Sequence, residues 1–450
     1  MTTSSNPMVH TPVPRLFFQF AGHALVSLLA ITSASVIDGL FVGNLVGADA
    51  LAAVTLLVPW LTLLFALGLV LAIGGSVRAG HLLGQQQRQA AGRLFGAAVL
   101  AAALAVALAG LVITLWPELL YRALNVPATL RPLVAEYLGV MKLALVVQIA
   151  TMVAYYFVRA DGHTGLATRA LIAGALSNIA LNALLVGGLK LGLAGAAWAT
   201  LLAQLVQAGL MARYLRRPGA MRLRFRGWPW QDLRAALANG LSEGINEVSV
   251  GVMIWLVNWL MMRAQGADGV AAFSIVNYLI FIGVMTCYGI VDGVHPLVSH
   301  NLGAGQAQRA RQVVKLAAIT LAGLGLAMST LLLLAGHRIP ALFLGSGETA
   351  AMAQATTLIA IIWPLFLFNG FNMLIAVTFT ALQRPLPSAI IAFSRSLVLP
   401  AGLMLWLAWA FPSQPFLLAL PLAEALTLVL ALGLAAQARS QSQINQRCRP

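Results

Sequence analysis

Only 12 Asp and Glu residues stand among 450, and charged residues make up 9% of the chain. Asp38, Glu243, Glu247 and Asp292 are among those that fall in apolar stretches. A charge at the centre of a membrane helix costs roughly 2.5 to 3.5 kcal/mol on insertion scales, so it persists where it lines a cavity or does work. The chemistry open to isolated carboxylates there is uptake and release of a proton or a small cation. Bond-making would need more. The sequence holds no paired Asp-rich metal motif on one helix and no His-Glu zinc helix. The acids come from separate stretches, which gives no sign of chemistry on a substrate. We therefore expect no enzyme, no catalytic residue and no cofactor.

Asp38 closes the first apolar stretch, and His23, Ser27 and Ala34 fall on nearly the same helical face. Two readings compete: a helix-end carboxylate already wet at the membrane surface, or a titrating group in a cavity between helices. Polar groups recurring along that face favour the cavity. Glu243 and Glu247 sit one turn apart on the seventh stretch and share a face. Asn239 precedes them by a turn, and Asn258 lies further along a similar line. Two like charges so close oppose each other, and a proton or a cation such as sodium relieves the repulsion. Glu243 lies nearer the helix end, where water reaches it, so Glu247 carries more weight.

Asp292 lies close to one face with Asn277, Tyr288 and His295. A structural partner such as His295 or Arg395 would explain it; so would an ion site. Arg395 and Lys142 are basic groups in apolar spans, where ion pairing inside the bundle is the default, and Glu424 is a candidate partner of Arg395. Met253, Trp255, Trp259, Met261, Met262, Phe273, Tyr278 and Phe281 surround the acids. Most are expected to pack or to face lipid. Any that line a cavity suit flat, greasy, often cationic ligands.

These residues need helices to hold them. The chain is 60% apolar with a mean hydropathy of +0.89, and so few charges cannot cover a soluble protein of this length. About twelve apolar runs recur, each near the roughly 20 residues that cross a bilayer as a helix. They are predicted near residues 16–38, 51–79, 94–115, 130–158, 168–185, 193–214, 237–262, 271–298, 313–334, 356–381, 389–409 and 416–436. The fold class is all-α, a polytopic membrane protein. Residues 1–14 are polar and carry no small-residue cleavage site after a short apolar core, so no removed signal peptide is expected.

The net charge of +15 would suggest nucleic acid in a soluble chain. Its placement argues otherwise. With the N-terminus inside, cytoplasmic segments outweigh the opposite loops in Lys and Arg by roughly four to one, the positive-inside pattern. Both termini are then cytoplasmic, in a plasma (inner) membrane. Cys287 sits in an apolar helix and Cys448 in the tail, so no disulfide framework is implied.

One stretch occurs twice. Gly47-Ala48-Asp49 and Ala52-Ala53 open a helix ending near Gly74, His81, Leu83 and Gly84; Gly266-Ala267-Asp268 and Ala271-Ala272 open another ending near Gly293, His300, Leu302 and Gly303. A constant shift in numbering relates every pair, so the chain is an internal repeat. Six helices per half make the repeats parallel, with function expected where they face each other. The expected division is an N-terminal lobe 1–215, a basic linker 216–233, a C-terminal lobe 234–437 and a basic tail 438–450. The linker holds Pro218, Gly219 and Trp228-Pro229-Trp230. It reads either as a hinge or, preferably for its charges, as an interfacial segment held by anionic lipid. Pro59, Pro296, Pro364 and Pro400 interrupt spans, either as gating kinks or as fixed bends. Gly92 with Gly96, and Gly188 with Gly192, are expected to let helices approach closely.

At this point a family emerges. Residues 36–51 and 52–84, Asn178-Ile179 with residues 192–200, residues 240–251, residues 270–273 and residues 296–305 together resemble the multidrug and toxic-compound extrusion (MATE) transporters. The likeness covers nearly the whole chain, and its specificity lies in the order and spacing of these stretches. It implies two six-helix lobes around a central cavity, and export of organic cations and other drugs in exchange for protons or sodium. Asp38 matches the family's first-helix aspartate, tied to cation coupling; Glu247 matches a glutamate used by some branches; Asn178 matches a fifth-helix asparagine. Asn182 departs, since many relatives carry aspartate there, and an amide cannot titrate. Gln383-Arg384-Pro385 replaces a glycine-bearing turn. Glu243 and Asp292 complete the expected ion-coupling set. Asn178, Asn182, Asn258, Asn277, Tyr278 and Met253 are the expected substrate contacts. A complete cavity in each chain favours a monomer. A flippase for a lipid-linked or amphipathic metabolite is the alternative, although its cavity should be basic, and this chain embeds more acid than base.

Overall fold

The structure is a computed structural model describing residue 8 and residues 11–217, 221–225, 227–342, 349–411 and 415–447. Pro218 and Gly219 of the linker, and Cys448 and Arg449 of the tail, lie outside the described residues. Every regular element among the described residues is helical. We number them α1 (Val13–Phe41), α2 (Ala48–Gly84), α3 (Arg88–Leu115), α4 (Pro117–Ala123), α5 (Arg131–Ala160), α6 (Thr164–Asn182), α7 (Gly192–Ala212), α8 (Trp230–Asp292), α9 (Val294–Gly303) and α10 (Ala307–Ala335). There follow α11 (Thr349–Ile362), α12 (Leu365–Ala381), α13 (Pro385–Phe393), α14 (Leu399–Ala410) and α15 (Ala419–Arg447). The last continues through most of the segment expected to be a tail.

Among the described residues, 11 spans are long and apolar enough to cross a bilayer, and a pair bent by 51°, Met352–Ile362 with Leu365–Ala381, makes a twelfth. The bend falls at Trp363-Pro364, as the proline foretold. There Ser329 Oγ donates to the Trp363 carbonyl at 3.0 Å, supplying a partner at the break. Leu104, Leu108, Leu111 and Leu115 form an exposed stripe along one face of α3. Such a face is stable in hydrocarbon, not in water.

The duplication is visible in the backbone. Gly47 and its repeat mate Gly266 both adopt positive φ, 123° and 67°; Gly47 precedes α2, and Gly266 breaks α8, parting the spans Trp230–Gly266 and Ala272–Gly303. Gln86 (φ 63°) pairs likewise with Gly305 (φ 73°), whereas Gly162 (φ 85°) and Gln383 (φ 54°) fall outside that constant shift but each turn the chain just after a helix ends, at Ala160 and Ala381. Gln383 thus holds a left-handed turn of the kind glycine adopts without steric cost.

Contacts divide the chain into two compact units. The first is chiefly Gly22–Gly244 with Ser299–Ala307; the second is Val13–Ala21, Ile245–Val298 and the chain from Gln308 on. In the first unit Leu57, Leu94, Phe95, Ile149, Phe157 and Leu193 are fully enclosed, and Phe95 stacks on Phe157 at 5.0 Å. Gly75 leaves the notch that Phe157 fills, since a Cβ there would lie 2.7 Å from the ring. Two close crossings finish the unit. Gly74 and Gly240 bring α2 against the start of α8, where a Cβ on either would lie 2.0 Å from a backbone oxygen of the other helix. Gly84 and Gly303 cross reciprocally: each would meet the carbonyl of the other repeat's histidine, His300 or His81, at 2.3 Å. In the second unit Gly293, the mate of Gly74, packs on the backbone of Phe20 and Ala21. The exchanged ends of α1 and α8 therefore explain where the units divide.

Two glycine expectations need correction. Gly92 and Gly96 do not seat a helix. A Cβ on Gly92 would lie 2.3 Å from the Arg222 carbonyl, and one on Gly96 2.5 Å from that of Arg224. They receive residues 221–225 of the linker, a single strand of chain with no regular secondary structure, whose Arg224 N–H donates to Gly92 O at 3.1 Å. Gly192 has φ 59° and serves a turn, and Gly188 touches only its own neighbourhood.

Candidate functional site

The face foreseen on α1 packs along α6. His23 Nδ1 lies 3.2 Å from Thr164 Oγ1, and Ser27 Oγ 3.1 Å from Thr168 Oγ1. At the far end of this polar seam, Asn182 Nδ2 donates to Asp38 Oδ1 at 2.8 Å. The same amide donates to Asn178 Oδ1 at 3.3 Å, and Asn178 Nδ2 reaches Thr200 Oγ1 on α7 at 3.5 Å. Asn178 and Asn182, one turn apart, share a face of α6. Asn182 is wholly enclosed, Asp38 half-buried. Asn182 Oδ1 is buried with no hydrogen-bond partner among the described residues.

An amide suits this place for a physical reason. It donates to a carboxylate and, after a flip, accepts from a carboxylic acid. Asn182 can therefore hold Asp38 in either charge state without titrating itself. π-helical turns flank the pair: Val42–Val46 directly after α1, and Ala183–Gly188 directly after Asn182. Such turns recur at functional sites because they re-aim side chains within a helix.

The second unit holds its own polar cluster, around Glu424. Asn369 Nδ2 donates to Glu424 Oε1 at 2.7 Å, and Asn372 Nδ2 to Oε2 at 2.6 Å. Arg395 lies 3.6 Å from Oε1, the foreseen ion pair. Arg395 also donates to Asn246 Oδ1 at 2.8 Å, as does Ser396 at 2.6 Å. Arg395 and Ser396 sit in a third π-helical turn, Ser394–Val398. Asn246, Asn369 and Asn372 were missed from sequence. The signal available was an Asn pair one turn apart in an apolar run.

The other expected residues are placed as follows. Glu247 is half-buried, with no hydrogen-bond or ion-pair partner among the described residues. Glu243 is buried, one turn earlier and in the other contact unit. Asp292 is buried at the break before Gly293. Asn258, Asn277 and Met253 are half-buried, and Tyr278 is exposed. No hydrogen bond joins Asn258 or Asn277 to another described residue. Lys142 donates to Thr114 at 3.0 Å in place of an ion pair. Hydrogen bonds thus gather Asp38, Asn178 and Asn182 and leave Glu247, Asn258 and Asn277 apart. No group of three or more His, Cys, Asp or Glu that could hold a metal occurs among the described residues.

Buried polar clusters inside a duplicated set of apolar spans define a multi-pass membrane protein with the build of a transporter. The family model MatE matches residues 24–184 and again residues 245–406. The chain belongs to the MatE family. A protein of Shewanella oneidensis named FAD transporter is 25% identical over 433 residues, 93% of each chain. The multidrug export protein MepA of Staphylococcus saprophyticus is 22% identical over 384 residues, 84% of each. An outward-facing multidrug resistance MATE family transporter of the MOP superfamily superposes with a TM-score of 0.85, at 19% identity, over 98% of this chain and 99% of that one. The resemblance read from residues is thereby confirmed, and the all-α duplicated fold with it.

Proposed function

We propose that this chain is a secondary active multidrug exporter, exchanging organic cations or other xenobiotics for protons or sodium by alternating access. The observation that carries this reading is the Asp38–Asn182 hydrogen bond inside the spans. Ionised, Asp38 attracts a lipophilic cation. Once neutralised by a proton or screened by sodium, it releases that cation. The coupling ion drives export only if it binds the two access states differently. Glu247, Glu243 and Asp292 complete the coupling set. Asn178, Asn182, Asn258, Asn277, Tyr278 and Met253 contact substrate, and sodium has a candidate place near Glu247. The lobes are residues 1–215 and 234–437, joined by 216–233 and followed by the tail 438–450. Both termini are cytoplasmic in an inner membrane, the protein acts as a monomer among membrane lipids, and it transports without covalent chemistry or a cofactor.

The test is dye efflux from proteoliposomes with a pH gradient and a sodium gradient imposed separately. Parent protein should respond to at least one, and Asp38→Asn to neither, while remaining folded. Efflux by Asp38→Asn at the parental rate would exclude Asp38 as the coupling site.

A second reading is export of an amphipathic anionic metabolite. It is favoured by the similarity to a protein named FAD transporter. Flavin nucleotide efflux from the same proteoliposomes, in the absence of dye efflux, would establish it over the first.

A further inference from the structure

An apolar groove of about 320 Å³ lies in the first unit where α3, α5 and α7 meet the linker strand. Phe95, Val147, Ala154, Met211 and Leu223 are among its walls. Its two hydroxyl-bearing residues are already engaged. Thr151 Oγ1 donates to Val147 O at 2.7 Å, and Tyr214 Oη donates to Asp161 Oδ2 at 2.6 Å. The groove therefore selects an apolar occupant. Most of its walls come from the later turns of two apolar spans, Arg131–Ala160 and Gly192–Arg216.

Charge stands beside it. Leu223 lines the groove, while its neighbours Arg222 and Arg224 are exposed. Arg213, Arg216 and Arg217, just beyond α7, are exposed too. The strand carrying Arg222 and Arg224 is held in place. The glycines of α3 receive its carbonyls, Arg224 N–H donates to Gly92 O, and the Met221 N–H donates to Tyr214 Oη at 2.7 Å. Met221 itself is fully buried. A greasy slot bordered by a chain segment whose backbone is held and whose arginines are exposed is complementary to a molecule with an apolar chain and an anionic head.

We propose that this groove binds one acyl chain of an anionic phospholipid whose phosphate rests on Arg222 and Arg224. The lipid thereby pins the linker strand to the first unit. This site is separate from the Asp38 cluster, so it stands or falls without the transport reading.

The test uses the full chain in detergent and follows thermal unfolding with added lipid. Phosphatidylglycerol should raise the midpoint more than phosphatidylcholine of the same chains, and glycerol phosphate should not raise it. Arg222→Gln with Arg224→Gln should reduce the phosphatidylglycerol response to that of phosphatidylcholine. Arg311→Gln with Lys315→Gln, an exposed pair on α10, should leave it intact. Ala154→Phe, which fills the groove, should blunt the response to both lipids. Should that variant fail to fold, Leu223→Asn, which sets a polar group in the groove wall, should likewise blunt the response to both lipids. Equal responses to the two lipids, a full response to glycerol phosphate, or equal losses from the two charge-removing pairs would overturn the proposal.

Discussion

The Asn182 amide donates to Asp38 Oδ1 across 2.8 Å from a side chain with no exposed surface. Its charge-assisted bond is worth about 1.5 to 3 kcal/mol. Asn182→Leu keeps comparable volume and removes both donor and acceptor. Ion-driven flux in proteoliposomes should then fall roughly 10- to 150-fold if that free energy enters the barrier. Flux within a factor of two of the parent, with unfolding unchanged, would remove Asn182 from the coupling site.

Gly74 makes a second prediction. A Cβ there would lie 2.0 Å from the Ala236 carbonyl, a backbone atom that cannot swing aside. Gly74→Ala should destabilise by about 1 to 3 kcal/mol through overpacking. Gly209, with nothing within 4 Å of its Cβ position, is the control, and Gly209→Ala should stay within about 0.5 kcal/mol of the parent. Unfolding midpoints in detergent decide it. Equal midpoints for the two variants would mean that α2 and α8 do not cross at this glycine.

The sequence revealed the α1 face because helical period alone aligns His23, Ser27 and Asp38. It revealed the duplication because register survived across a whole span. Asn182 stood out only by resemblance, and its spacing said nothing of Asp38 as its partner. The Glu424 cluster was legible only as the Arg395 pair. Its amides come from two distant stretches, and no local period links Asn246 to the Asn369 and Asn372 pair or either of them to Glu424. Gly92 and Gly96 misled for a physical reason: small residues one turn apart admit any close backbone, and their spacing does not say whether that backbone is helical.

Glu424 and Arg395 make a third prediction. Their side chains are 9% and 11% exposed, at 3.6 Å. Removing one partner of a buried pair typically costs about 3 to 5 kcal/mol, because the other charge is left uncompensated. Glu424→Ala should therefore lower the unfolding midpoint sharply. The double variant Glu424→Leu, Arg395→Met should recover much of that loss, since replacing both with apolar groups of similar size is often neutral. If the double variant loses the sum of the single losses, the two side chains are independent and the cluster owes its order to Asn369 and Asn372.

Tyr214 makes the fourth. Its hydroxyl donates to Asp161 and accepts from the Met221 N–H, so one oxygen ties the turn after α7 to the turn after α5 and to the linker strand. Tyr214→Phe keeps the ring and removes that tie. Asp161 retains Arg88 at 3.1 Å, whereas the Met221 N–H loses its partner, at a cost of about 1 to 3 kcal/mol for a buried group left unmade. The loss should appear locally. Amides of residues 221–225 should exchange with deuterium roughly 5- to 150-fold faster, while those of α2 and α5 hold their rates. Gly92→Ala should act on the same amides by another route, since its Cβ would sit 2.3 Å from the Arg222 carbonyl and push the strand away. If exchange at 221–225 rises in Gly92→Ala and not in Tyr214→Phe, the glycine groove alone secures the strand and the hydroxyl is dispensable. If it rises in neither, residues 221–225 do not lie on α3 in solution.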